Sequence, residues 1–366
     1  MKPSIALIRL GSMGDVVQTM AVLNLFRKIL PLCHITWFVE SGWAELLEGH
    51  PQLDEVVVIP RKKWQKNLLC LRYAVSTCRE IKHFYQKIQA KRFHYLFDFH
   101  GNLRSGILAG LVPCSRKIGL APPLSREGSH LFLTDSISLS PWLHKTDRAW
   151  KLVETYFGIS HSPVEPPLFP SFVKEEKRVR AWLQKLPNAK KILVVHPGVS
   201  RAYQIKRWPF SFYQKVLEKV LEFPDLLVLL SYGPGEEQEV RKLSQAIYHP
   251  RLVPLDWVFS IGEMVALFRR VDFFLGSDTG PLHLADALGV QTLGLYGPKN
   301  PLTYRPYFKG QWIQADQPSC IPCGHKSCKF NQIPSPCMEG ITPEQVLQGI
   351  EKFFTLKEAL PKKSLL

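Results

Sequence analysis

This chain is short of acid relative to base. Against 47 lysines and arginines stand 31 aspartates and glutamates, giving a formal charge of +16 and a pI near 9.5. That deficit calls for anionic partners: nucleic acid, a phospholipid surface or a phosphorylated substrate. Long apolar runs are missing too, and none approaches the ~18 residues that a membrane span needs. The first ten residues make a poor signal peptide, because their apolar stretch is short, broken by Arg9 and without a small-residue cleavage site. They read instead as a buried first strand, so a cytoplasmic protein is expected. No zinc finger, RNA-recognition signature or basic zipper occurs, and no nucleic-acid partner is expected. An Asp-x-Asp metal motif is also missing, so neither an obligatory divalent metal nor a cofactor is expected.

What is present is the material of a folded enzyme. Hydrophobic residues make up 45% of 366, too long a chain for one core, which argues for two domains. Short β-branched runs alternate with amphipathic stretches, the pattern of a parallel sheet with crossover helices. Strands are expected at 4–9, 35–39, 55–59 and 95–99, and helices at 15–30 and 103–111. A loose stretch follows, ending in the proline-rich segment 162–170, where a linker is placed. The pattern restarts at Lys191. An α/β fold of two Rossmann-like domains facing across a cleft is expected, with domains at 1–172 and 173–345 and a helix and tail at 346–366.

The basic charge concentrates between Arg61 and Arg92, where Glu80 is the single acid among Arg61, Lys62, Lys63, Lys66, Arg72, Arg79, Lys82, Lys87, Lys91 and Arg92. Interleaved Trp64, Leu68, Leu69, Leu71 and Phe84 make the segment amphipathic. It reads either as a solvated helix face or as a docking surface for anionic lipid. Cys33, Cys70, Cys78 and Cys114 are scattered and look like small buried hydrophobes. Cys320, Cys323, Cys328 and Cys337 cluster with a spacing that leaves metal binding or reduced thiols open.

Four loops carry candidate chemistry. In 276–283, Ser277, Asp278 and Thr279 are residue types that cap a helix, and Pro281 suits its first turn. The free N–H groups there make an anion site, and Gly280 admits a phosphate; a plainly capped helix is the alternative. In 196–209, Ser200, Arg201, Lys206 and Arg207 can neutralise a diphosphate, or form a basic surface loop. In 232–237, Glu236 can accept from two ribose hydroxyls, or complement a helix dipole. In 9–15, Asp15 stands at a helix start, where it can take a proton from a substrate hydroxyl or serve as a cap. The two glycines of that loop lack the dinucleotide spacing; Glu40, ending the second strand, leaves a dehydrogenase reading weak but open.

These segments together resemble glycosyltransferase family 9, the lipopolysaccharide heptosyltransferases. The matching pieces are Gly14-Asp15-Val16-Val17, Asp98–Ser105, His196-Pro197-Gly198, Lys206-Arg207-Trp208-Pro209, Gly233–Glu236 and, most specifically, Ser277–Ala285 with Tyr296-Gly297-Pro298. They run in order from residue 4 to about residue 350. The resemblance implies GT-B architecture and an inverting, metal-independent transfer from ADP-heptose to the Kdo or heptose of the lipopolysaccharide inner core. It implies an anionic glycolipid acceptor and peripheral attachment to the cytoplasmic face of the inner membrane. By the same resemblance, Asp15 is the general base and Lys206 contacts diphosphate and sugar. Ser200, Glu236 and the loop Asp278, Thr279, Gly280, Pro281, Leu282 and His283 hold the donor. Gly14, Lys62, Lys63, Lys66, His100, Asn102 and Arg104 meet the acceptor. A different donor sugar, or a homologue that binds glycolipid without catalysis, remains the alternative.

Overall fold

The computed structural model describes residues 2–159 and 162–358. It divides into two compact units, 1–171 and 172–366, and residues 162–172 between the flanking helices carry no regular structure. The last residues of the expected tail, 359–366, lie outside the described ones.

Each unit is built on a six-stranded parallel sheet. In the first unit the strands are β1 (Ser4–Ile8), β2 (His34–Glu40), β3 (Glu55–Ile59), β4 (Phe93–Asp98), β5 (Cys114–Leu120) and β6 (Asp135–Ile137), in the order β3-β2-β1-β4-β5-β6. In the second they are β7 (Lys191–His196), β8 (Leu226–Leu230), β9 (Leu252–Pro254), β10 (Phe273–Ser277), β11 (Gln291–Tyr296) and β12 (Gln311–Gln314), in the order β12-β11-β10-β7-β8-β9. Central strands such as β8, Leu-Leu-Val-Leu-Leu, are buried along their whole length. That is why they read as continuous apolar runs: a parallel sheet has both faces covered.

In each order the chain reverses direction beside its first strand, between β1 and β4 and between β7 and β10. Loops leaving the two strands there diverge and open a crevice at their carboxyl ends, the place where such sheets bind ligands. The candidate loops follow β1, β4, β7, β8 and β10, so both units present them at that edge.

Three sequence expectations change. The long helix expected at 15–30 is two helices, Met13–Met20 and Val22–Ile29, meeting at Ala21. The stretch expected to be loose after Leu111 contains β5, β6 and a 13-residue helix, Lys145–Phe157. β5 and β6 lie toward the sheet edge and keep polar residues such as Ser115, Arg116 and Lys117, so they lack the apolar signature of the central strands. Cys70, in the turn before the Leu71–Gln89 helix, and Cys78, on that helix's outer face, are exposed rather than buried. Cys33 is buried as expected, and Cys114 is half-buried.

Polar side chains fix the loops of the second unit. Buried Asp286 accepts from the backbone N–H groups of Phe308, Lys309 and Gly310 at 2.9, 2.8 and 3.0 Å. Trp208 is fully buried and donates to the Ile341 carbonyl at 2.9 Å. Ser335 donates to the Ile205 carbonyl at 2.8 Å. The basic loop 201–207 is thereby pinned at Ile205 and at the following Trp208, while Lys206 and Arg207 pair with Asp278 and Glu239 at 2.6 and 2.8 Å.

Candidate active site

In the second unit the centre is Asp278, immediately after β10. Its Oδ2 accepts from Lys206 Nζ at 2.6 Å, and its Oδ1 lies 3.0 Å from His283 Nε2. Lys206 also donates to the Asp278 carbonyl at 2.9 Å and sits 4.9 Å from the Tyr203 ring centroid. Burial works against the charged carboxyl, but Lys206 and His283 outweigh it and hold Asp278 far below the usual carboxylate range.

This arrangement overturns the expected capping. Thr279 is the N-cap of the Gly280–Ala287 helix, yet no side chain bonds to the helix end. Asp278 is committed to Lys206 and His283, and the Thr279 hydroxyl is buried with no partner. Pro281 has no N–H, and the Leu282 side chain is fully buried in the core, so Gly280 and Leu282 offer only backbone donors. The result is an uncapped helix start with an unpartnered hydroxyl, next to a lysine: a site with the right sign and donors for a phosphate.

Glu236 follows β8 in the same unit. Its Oε2 accepts from the Gly233 N–H at 2.7 Å and stands 3.9 Å from His196 Nε2. A Cβ on Gly198 would come within 2.0 Å of that same oxygen, so glycine is required there to let the carboxylate in. Glu236 Oε1 has no hydrogen bond among the described residues, which leaves an acceptor for a hydroxyl. His196 is buried, bonds Ser231 Oγ at 3.0 Å, and is held below its ordinary pKa by that burial, with Glu236 opposing. Ser200 is exposed at the start of the 201–206 turn and makes no capping bond.

In the first unit the centre is Asp15, in the first turn of the Met13–Met20 helix. Ser12 donates to its Oδ2 through both backbone N–H and hydroxyl, each at 3.2 Å. Its Oδ1 takes Arg9 at 2.8 Å and a short bond from Lys145. Burial disfavours the charge, yet Arg9 and Lys145 win and keep the carboxyl well below its ordinary value. Asp15 is thus cap and ion-pair partner at once. Gly14 is buried beside it.

The remaining first-unit candidates separate. Asp98 is buried and anchors the turn after β4, accepting from the His100 N–H at 2.8 Å and from Ser105 Oγ at 2.7 Å. Asn102 is the N-cap of the Leu103–Leu111 helix, its Oδ1 accepting from the Ser105 N–H at 3.2 Å. His100 is held near pKa 3 by burial and then by Arg9, and its Nδ1 is buried without a partner. Arg104 pairs with Glu40 at 3.0 Å, and Arg61 meets the same carboxylate at 2.6 Å. Glu40, the acid a dehydrogenase reading needs, is therefore occupied by two arginines. Lys62, Lys63 and Lys66 are exposed on the Arg61–Leu68 helix, and Lys63 pairs with Glu80 at 3.1 Å.

Sequence reading missed Arg9 and Lys145 as partners of Asp15, and Ser335 as a support of the Lys206 loop. Arg9 was visible beside Asp15; Lys145 lies 130 residues away in a helix read as loose chain. Cys320, Cys323, Cys328 and Cys337 line one cavity of about 270 Å³ with His325. Among the described residues, no three histidines, cysteines or acids stand in a geometry that could hold a metal ion.

Comparison with known proteins gives consistent results. The model of glycosyltransferase family 9 (heptosyltransferase) matches residues 81–333. Lipopolysaccharide heptosyltransferase 1 of Pseudomonas aeruginosa is 24% identical over 371 residues, covering 97% of this chain and 99% of its own. The lipopolysaccharide core heptosyltransferase OpsX of Haemophilus influenzae is 26% identical, covering 83% of this chain and 82% of its own. Among solved structures, E. coli heptosyltransferase WaaC with ADP superposes with a TM-score of 0.74 at 22% identity, over 96% of this chain and 99% of that one.

Proposed function

The chain belongs to glycosyltransferase family 9, and from that premise we propose that it transfers a heptose from ADP-heptose to the inner core of a lipopolysaccharide acceptor. It is a glycosyltransferase with the GT-B organisation of two Rossmann-like units. The identity of the sugar and acceptor rests on its likeness to proteins named for that reaction. The observation that carries the donor half is the uncapped start of the Gly280–Ala287 helix, with the unpartnered Thr279 hydroxyl beside Lys206.

The chemistry follows from the charges. Transfer breaks the bond between the anomeric carbon and the diphosphate, and its electron pair leaves with ADP. The helix start, Thr279 and Lys206 stabilise the negative charge that gathers there, where losing one such donor typically costs about 3–4 kcal/mol. Glu236 Oε1 receives the ribose hydroxyls, and Ser200 adds a donor. An acceptor hydroxyl attacks the opposite face of the sugar, forming the new bond as its proton passes to Asp15.

Asp15 enters the reaction ionised, the state a base needs. Its two cations make it a weak base until something competes for them. A carboxylate-bearing acceptor sugar supplies that competitor: drawing Lys145 or Arg9 to itself raises the proton affinity of Asp15 as the hydroxyl arrives. Gly14, Lys62, Lys63, Lys66, His100, Asn102 and Arg104 belong to the acceptor side of this reading. The acceptor's lipid anchor implies working contact with a membrane surface, and no helix among the described residues is long and apolar enough to cross one.

Calorimetry with ADP, UDP, GDP and ADP-heptose tests the donor assignment. Selective binding of ADP and ADP-heptose that weakens in Lys206→Ala is expected. Preference for UDP or GDP would keep the transferase and overturn the sugar donor.

A further inference from the structure

The segment 61–89 forms a helical hairpin that joins the core only near its end, where Ile88 belongs to a buried apolar cluster and Phe84 packs against it. The Arg61–Leu68 helix buries no residue, and the Leu71–Gln89 helix buries only Thr77 and Ile88. The two helices also hold each other. Trp64 meets Phe84 edge-on with centroids 5.3 Å apart, Lys63 pairs with Glu80 at 3.1 Å, and Trp64 Nε1 donates to Glu80 at 3.3 Å.

The turn between them is Leu68-Leu69-Cys70-Leu71. Leu69 is 91% exposed and Leu71 94%. Tight turns in water use glycine, proline, asparagine or aspartate for conformational reasons; four apolar residues in succession have no such reason. Exposure continues down the second helix through Val75 and Cys78, which share a face with Leu71 at helical spacing.

Charge identifies the occupant. From Arg61 to Gln89 the hairpin carries eight lysines and arginines against the single acid Glu80, and Glu80 is already consumed by Lys63. A second copy of the chain would bring the same positive hairpin and be repelled. An anionic bilayer offers an apolar interior for the leucines and phosphates for the cations in one surface.

We propose that the Leu68–Leu71 tip of this hairpin seats the protein on an anionic phospholipid bilayer, with Leu69 and Leu71 entering the headgroup region and Arg72 and Arg79 meeting lipid phosphates. The proposal rests on the membrane-borne acceptor described above for its purpose, but not for its test. Seated this way, the hairpin root would carry Arg61 and the adjoining Glu40–Arg104 cluster on the membrane-facing unit.

Co-sedimentation of the full chain with phosphatidylglycerol–phosphatidylcholine vesicles, and with phosphatidylcholine alone, provides the test. The wild type is expected to bind the anionic vesicles and to lose that binding as salt rises. Leu69→Ser/Leu71→Ser should lower the partition at least about tenfold, and Arg72→Glu/Arg79→Glu about a hundredfold at low salt. Both variants change exposed residues outside the active site and should keep wild-type ADP affinity, which reports that they are folded. Equal binding to neutral and anionic vesicles, no vesicle binding, or a leucine variant that partitions like wild type overturns the proposal. So does a leucine variant that changes only the protein's self-association. Failure of ADP to bind the wild type bears on the donor assignment and leaves the vesicle result standing.

Discussion

Asp15 and Asp278 occupy corresponding places in their units. Each follows a central strand at the reversal of its sheet and stands at a helix start, Asp15 half-buried in the third helical position and Asp278 buried just before the N-cap, and each pairs with a lysine from a distant segment, Lys145 and Lys206. They differ in where the second oxygen turns. Asp15 turns inward and accepts from Ser12, filling its helix start with its own charge. Asp278 turns toward His283, leaving its helix start open. A helix end closed by its own carboxylate cannot take a phosphate but presents a base. A helix end left open does the reverse. On the proposed function, one structural plan used twice serves as proton acceptor in one unit and as diphosphate cradle in the other.

The sharpest break between the two halves is expected from Asp15→Asn. It should lower kcat by about 10²–10⁴ while ADP affinity measured by calorimetry stays at the wild-type value. Equal loss of both would mean the halves are not divided as described. Lys206→Ala comes next. It removes the donor's partner and strands a buried Asp278 charge, so ADP affinity should fall about a hundredfold and the thermal midpoint should drop. Adding Asp278→Asn should recover much of the midpoint, but not the affinity.

Acid sharpens the comparison further. His50 and His100 in the first unit are held near pKa 4 and 3, first by burial, against about 6.5 in an unfolded chain. Below about pH 6.5 the unfolded chain takes up protons that the folded one refuses, so stability falls as pH drops from there toward 4. Both aspartates are depressed and stay ionised through that window, so the loss belongs to the histidines. The second unit shares it through His196. Thermal melts across pH should show this slope, flattened by His50→Gln, and proteolysis near pH 5 should cut the first unit before the second. The smallest expected effect is Thr279→Val, which keeps shape but removes the hydroxyl. A loss of about 1 kcal/mol in ADP binding, roughly fivefold, would place that hydroxyl on the ligand.

Much of this was legible in the sequence because it depends on local pattern. The central strands are uninterrupted apolar runs, and the loops after β7, β8 and β10 carry glycine, proline and polar residues in adjacent positions. What was not legible depends on distant pairing. Thr279, read as a capping type, makes no capping bond, and Asp278 is engaged by Lys206, 72 residues earlier. Lys145 was hidden at the polar first turn of a helix, and its pairing with Asp15 spans 130 residues. Asn102 and Arg104 look alike as polar candidates beside His100, yet one closes a helix and the other pairs with Glu40. Cys70 and Cys78 were misread because residue type alone does not reveal a hairpin with nothing packed on its outer face.

The central claim is that the two half-sites together move a heptose. The most direct measurement is mass spectrometry of a Kdo-bearing lipid acceptor incubated with ADP-heptose and either the wild type or Asp15→Asn. The account predicts an acceptor heavier by one heptose with the wild type, and about a hundredfold less or lower with the variant. An unmodified acceptor with active wild-type protein, or equal product from the variant, would contradict it.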